Sequence, residues 1–195
     1  QPSTRSPSKN GILRLLKQPL TWQVMLFMGI QSSMAYIVFG WLPTLLVTRG
    51  YNEADAGWTM AVSIMCQLAS ALAAPWLARR GRDQRPALLL VLLCTALGLW
   101  LLLIAPVGWK WPGAAFLGIG QGGSFSLALS LLVLRTANSR LAGQLSGLVQ
   151  GGGYTLAALG PFGVGLLLQS GANTAHITWL LIALLVVCCG FALLA

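Results

Sequence analysis

The chain has 195 residues, of which 56% are apolar and 8% are charged, and its mean hydropathy is +0.77. Soluble domains carry charge on roughly a quarter of their residues, so this composition excludes an ordinary water-soluble domain and predicts a membrane protein. The net charge of +9 reflects either membrane topology or nucleic-acid binding, and the positions of the basic residues decide between them.

Residues 1–19 are predicted to form a cytoplasmic linker that ends in a basic amphipathic segment. Gln1 to Asn10 is rich in Ser and Pro, as flexible linkers are. Gly11 to Lys17 mixes leucines with basic residues and is expected to lie on the inner membrane surface. Because the chain lacks an initiator Met and is still apolar at Ala195, we expect it to be a piece of a longer protein.

Six apolar stretches follow, each long enough to cross a bilayer, since a spanning helix needs about 20 residues. Their apolar runs do not alternate with polar residues, which favours helices over barrel strands. The predicted fold class is therefore an all-α membrane protein in which residues 20–195 form a six-helix bundle. The predicted spans are Leu20 to Val47, Gly57 to Leu77, Pro86 to Ala105, Trp111 to Leu134, Leu141 to Leu168, and Ala175 to Ala195.

The basic residues are distributed very unevenly between the two sides of the membrane. With a cytoplasmic N-terminus, only Arg49 and Lys110 of the 12 Lys and Arg residues fall outside. This positive-inside bias predicts that both ends of this cell-membrane segment are cytoplasmic, and it removes the need for a nucleic-acid partner. The ten inside residues are Arg5, Lys9, Arg14, Lys17, Arg79, Arg80, Arg82, Arg85, Arg135 and Arg140.

Polar side chains line the first, second, fourth and fifth spans and are nearly absent from the third and sixth. We therefore expect the third and sixth helices to face lipid and the other four to enclose a solute pathway. Hydrogen bonding between helices is the alternative role, and the more common one for a single Ser or Thr. The candidate solute-binding residues are Gln31, Tyr36, Gln67, Gln121, Ser124, Gln150 and Tyr154, with Trp41 as an aromatic lid or an interfacial anchor.

The sequence predicts no enzyme, no metal site and no cofactor. The three acids, Glu53, Asp55 and Asp83, fall at a helix start or in a loop. Asn52 and Asp55 have the spacing that caps the second helix. Proton coupling through a carboxylate would then need a residue from another part of the protein.

Glycines recur every four residues on the fourth and fifth spans, a spacing that predicts close helix contacts. Gly160 and Pro161 are expected to interrupt the fifth span. The spaced glycines are Gly118, Gly122, Gly143, Gly147 and Gly151.

Several segments resemble the major facilitator superfamily, and within it the cyanate and 2-nitroimidazole permease branch. Ala74 to Arg82 is similar to the loop motif G-x-x-x-D-x-x-G-R/K; it keeps Gly81 and Arg82 but has alanine at the first glycine and at the aspartate. The branch resemblance lies in G-W-L-P-T-L-L at Gly40 to Leu46, G-Y-N-E-A-D-A-G at Gly50 to Gly57, G-I-G-Q-G-G at Gly118 to Gly123, and the run Leu145 to Pro161.

The resemblance implies the C-terminal half of a twelve-helix carrier, built from two three-helix repeats, whose N-terminal half is missing from this chain. It implies a central site that opens alternately to either side, with Arg79, Gly81, Arg82 and Arg85 in an inner gating loop. The expected function is secondary active or facilitative transport of a small polar or anionic solute. The alternatives are a non-transporting membrane receptor or scaffold, and a drug exporter of the same superfamily.

Overall fold

The computed structural model describes residues 16–80, 84–134 and 139–194. Within them the chain is helical, without β-strands, and a short 3-10 turn (Val107–Trp109) precedes the fourth helix. The helices are α1 (Pro19–Thr48), α2 (Glu53–Arg80), α3 (Arg85–Leu103), α4 (Lys110–Leu134), α5 (Ser139–Gln169) and α6 (Thr174–Leu194). All but α4 also meet a strict test of length and hydropathy for a membrane span. The chain is an all-α, multi-pass membrane protein.

The helix boundaries agree with the predicted spans to within four residues. The largest difference is at α2, which begins at Glu53 because Asn52 caps it as predicted. The main-chain N–H of Asp55 donates to Asn52 Oδ1 at 2.6 Å, and Asn52 Nδ2 donates to Asp55 Oδ2 at 3.2 Å. Residues 1–15 of the predicted linker lie outside the described residues.

Helix packing follows two equivalent triplets. α4 packs along α2 and α3, and α1 packs in the same way along α5 and α6. Exchanging the first three helices with the last three converts one set of contacts into the other. This is the predicted pair of three-helix repeats, and α1 and α4 meet between them.

Glycines on α4 allow α2 to approach it very closely. A Cβ added at Gly118 would lie 2.1 Å from the carbonyl oxygen of Ser63, and one at Gly122 would lie 2.1 Å from that of Gln67. Any larger residue would force the two backbones apart. The close contacts predicted for these two glycines are confirmed.

α5 differs from the expectation in two respects. It continues as a helix through Gly160 and Pro161, so the predicted interruption is wrong; membrane helices tolerate proline when neighbouring helices support the freed backbone groups. A Cβ at Gly143, Gly147 or Gly151 would meet nothing within 4 Å. These three glycines therefore do not bring α5 close to another described helix.

Polar contacts join the helices at one end of the bundle, which we call the Arg49 end. Arg49 donates to three main-chain carbonyls at the end of α3, including that of Ala105 at 2.9 Å. Lys110 Nζ lies 2.8 Å from Asp55 Oδ1 and so joins α4 to α2. Burial raises the pKa of the nearby Tyr51 phenol above its ordinary value, against the opposing effect of the Arg49 and Lys110 charges.

Candidate functional site

A cavity of about 170 Å³ lies where four helices meet. Its lining comes from α1, α2, α4 and α5, the four helices with polar faces. No described residue of α3 or α6 lines it. The lining residues are Gln31, Ser32, Ala35, Tyr36, Phe39, Gln67, Phe125 and Tyr154. The fold thus brings together four of the eight predicted binding residues: Gln31, Tyr36, Gln67 and Tyr154.

The amide of Gln31 is held by the protein itself. The residue is 2% exposed, its Nε2 donates to the main-chain carbonyl of Gln121 at 3.4 Å, and its Oε1 accepts from Ser32 Oγ at 3.3 Å. These bonds fix the orientation of Gln31 and tie α1 to α4 at the cavity.

The amide of Gln67 is held differently. Its main chain is fixed against Gly118 and Gly122 of α4, but its Oε1 is buried and accepts no hydrogen bond from the described residues. A buried acceptor without a donor costs about 1–3 kcal/mol. Gln67 therefore lines the cavity while its amide oxygen is enclosed by the protein without a hydrogen-bond donor among the described residues.

Gln121 and Ser124 lie behind the cavity rather than on its surface. Both are at least 98% buried, and Ser124 Oγ donates to the Gln121 carbonyl at 3.1 Å. The side-chain Nε2 and Oε1 of Gln121 have no hydrogen-bond partner among the described residues. This part of α4 thus combines a well-bonded main chain with an unpaired side chain.

Gln150 and Trp41 do not line the cavity. Gln150 Nε2 donates to Ser146 Oγ on the same helix at 2.6 Å. The Trp41 indole donates to the main-chain carbonyl of Pro161 at 3.2 Å. Trp41 therefore joins α1 to α5 beside the proline, a contact that neither the lid nor the interfacial anchor required.

Two larger cavities lie away from the point where the four polar helices meet. One of about 460 Å³ lies at the Arg49 end among α1, α3 and α6, and one of about 360 Å³ lies between α1, α5 and α6. Neither is lined by a glutamine or a tyrosine. Both border α6, one of the two helices expected to face lipid.

Comparison with known proteins identifies the family. The family model of the Major Facilitator Superfamily matches residues 1–161. The chain belongs to the major facilitator superfamily.

Three transporters are similar to this superfamily member. "Uncharacterized transporter YycB" of Bacillus subtilis is 37% identical over 86% of the chain, and the "2-nitroimidazole transporter" of Escherichia coli is 36% identical over 82%. The "Cyanate transport protein CynX" of Escherichia coli is 30% identical over 83%. These matches place the chain in the cyanate and nitroimidazole branch. The chain spans 39–42% of the length of these relatives.

Most of the superfamily loop motif forms the end of α2, and its last two residues lie outside the described residues. Arg79 belongs to the last turn of α2, and Arg85 is the first residue of α3. Gly81 and Arg82 lie outside the described residues. The gating role of these four residues stays a prediction.

Sequence reasoning missed the two phenylalanines that line the cavity of this superfamily member. Phe39 follows Tyr36 by three residues, and Phe125 follows Gln121 by four, so each lies on the polar face of its helix. Extending the search along those faces to aromatic residues would have found both.

Proposed function

We propose that the chain is the C-terminal six-helix half of a secondary active or facilitative transporter that moves a small polar solute by alternating access. The observation that carries the proposal is the cavity where both three-helix repeats meet. It is lined by two glutamines and two tyrosines from α1, α2 and α5. A receptor or scaffold needs no such polar lining. The same lining offers no nucleophile paired with a base, so an enzyme is a poorer fit.

An N-terminal half of the same protein is the proposed partner. The chain spans only 39–42% of the length of the relatives. α2 and α5 also expose large apolar side chains although they line the cavity; Leu72 is 75% exposed and Phe162 is 65% exposed. A second half that packs on these faces would cover them and complete the cavity wall.

The proposed setting is a bacterial inner membrane with both ends of the chain in the cytoplasm. Two observations support it. The basic residues are distributed unevenly along the chain. Arg49 and Lys110, the two that are predicted to lie outside, both bond within the protein at the Arg49 end. Arg79, Gly81, Arg82 and Arg85 would then lie on the inner side, where we propose that they form a gate.

Two relatives are named for the solutes cyanate and 2-nitroimidazole, and both compounds are small and polar. We therefore propose a cyanate-like or nitroimidazole-like solute, contacted by Gln31, Tyr36, Gln67 and Tyr154. Gln121 and Ser124 would support the wall from behind, and Gln150 and Trp41 would support α5.

The test is uptake of 2-nitroimidazole and of cyanate into vesicles reconstituted with the complete protein. Gln67→Leu should lower uptake of the transported solute about tenfold or more, because it removes the amide that α2 contributes to the cavity wall. Gln150→Leu is the matched control and should change uptake less than about threefold, since that amide bonds within its own helix. If the vesicles take up neither of these solutes and no member of a broad solute panel, the scaffold is favoured.

A further inference from the structure

The cavity of about 460 Å³ at the Arg49 end changes from polar to apolar with depth. Its polar residues include Thr48, the last residue of α1, Arg49, and Thr174, the first residue of α6. The Oγ1 atoms of the two threonines lie 2.9 Å apart. Ile182, also on the wall, lies two turns further along α6. A molecule with a polar head and an apolar chain matches this order of side chains.

Arg49 gives the cavity a positive charge with no acidic partner among the described residues. Its Nη1 and Nη2 atoms hold three main-chain carbonyls of residues 102, 104 and 105. A guanidinium has five N–H donors, so two remain. Asp55, an acid at this end, is already paired with Lys110 at 2.8 Å. Arg49 thus combines a fixed position, spare donors and an unbalanced charge, which are the properties that bind a phosphate group.

The cavity opens on the part of the bundle that lipid is expected to cover. No described residue of α3 or α6 lines the central cavity, and both helices expose large apolar side chains such as Leu93 and Val186. On the wall of the cavity at the Arg49 end, Trp179 is 67% exposed. Tryptophan is enriched where a membrane protein meets the headgroup region of the bilayer. A ligand in this cavity would therefore contact the bilayer rather than the solute route.

We propose that this cavity binds an anionic phospholipid, with its phosphate on the spare donors of Arg49 and an acyl chain along Trp179 and Ile182. An anionic headgroup is favoured over a zwitterionic one, because choline or ethanolamine would place a second cation beside Arg49. The bound lipid would join the ends of α1 and α3 to the start of α6, and so link the two three-helix repeats. This site is separate from the central cavity and does not depend on the proposed transport.

The test is photo-crosslinking of the complete protein in nanodiscs of phosphatidylcholine. A trace of phosphatidylglycerol with a diazirine on its acyl chain is the probe in one sample, and phosphatidylcholine with the same label is the probe in the other. Cross-links are counted only on peptides that contain Ile104 or Trp179, so lipid bound elsewhere does not contribute. We expect about fivefold more labelling by phosphatidylglycerol, the discrimination typical of one basic residue at a membrane surface.

Two results with the wild-type protein would overturn the inference. One is equal labelling of these peptides by the two lipids. The other is loss of the labelling when glycerol phosphate is added in excess, because the site would then take a water-soluble phosphate and need no acyl chain. We expect glycerol phosphate to leave the labelling unchanged.

A matched pair of variants tests the role of charge. Thr174→Glu and Thr174→Gln place side chains of equal size at the first residue of α6, where a carboxylate also suits the helix N-terminus. The carboxylate supplies the counter-charge of Arg49, so Thr174→Glu should reduce the preference for phosphatidylglycerol to less than about twofold, while Thr174→Gln keeps it. A preference that Thr174→Glu leaves unchanged would overturn the inference. The comparison on the wild-type protein decides the matter even if neither variant folds, and its failure leaves the proposed transport function standing.

Discussion

Replacing Gly122 by alanine tests whether the close contact between α2 and α4 builds the cavity. The new methyl group would lie 2.1 Å from the carbonyl oxygen of Gln67, and ordinary contact begins at 3.4 Å, so the two helices must separate by about 1.3 Å. Overpacking of this kind costs about 1–3 kcal/mol. At about 2–4 °C per kcal/mol, the melting temperature of the complete protein should fall by several degrees.

Two measurements follow the effect. Size-exclusion chromatography after heating gives the apparent melting temperature, and vesicle uptake gives transport. Because the displaced residue is Gln67 itself, uptake should fall even at temperatures where the variant stays folded. Gly190→Ala on α6 is the control, since a Cβ there meets nothing within 4 Å. If Gly122→Ala melts and transports like Gly190→Ala, the packing argument is wrong.

Three further predictions concern Trp41, the ion pair of Asp55 with Lys110, and Tyr51. Trp41→Phe keeps an aromatic ring but leaves the Pro161 carbonyl without its indole donor. The free energy of unfolding should therefore fall by about 1 kcal/mol, and an unchanged melting temperature would contradict this. A double-mutant cycle of Asp55→Asn and Lys110→Met should give a coupling of no more than about 1 kcal/mol, reduced by salt, because the pair is partly exposed; a coupling insensitive to salt would show that the ion pair is not its source. Burial raises the pKa of Tyr51, so its contribution to stability is complete below pH of about 10 and is lost as the pH rises through the higher folded value. Tyr51→Phe should therefore lose less stability than wild type in alkaline thermal melts, and equal losses would refute the role of this phenol.

The positions of the helices could be predicted from the sequence, because a backbone within lipid must satisfy its own hydrogen bonds. Long apolar runs must be helical, and Asn52 marked the start of α2 within its loop. The contrast between helices with polar faces and helices almost without polar side chains also identified which four helices line the cavity. Which residues of those helices reach it was harder to predict, since a helix has several polar positions and only some of them point to the same place.

The glutamines on α2 and α5 show why local pattern could not settle this. Gln67 and Gln150 each follow a serine by four residues, Ser63 and Ser146, a spacing that allows the amide to bond within its own helix. Gln150 makes that bond. At Gln67 the carbonyl oxygen of Ser63 and the main chain of Gln67 itself are pressed against glycines of α4, and the amide oxygen is buried without a hydrogen-bond donor among the described residues. Two identical local patterns therefore give a bonded amide on α5 and a buried amide oxygen without a donor on α2, the helix whose main chain at this point packs against glycines of α4. Contacts between helices thus decide how each amide is bonded, and the spacing of residues along one helix does not contain that information.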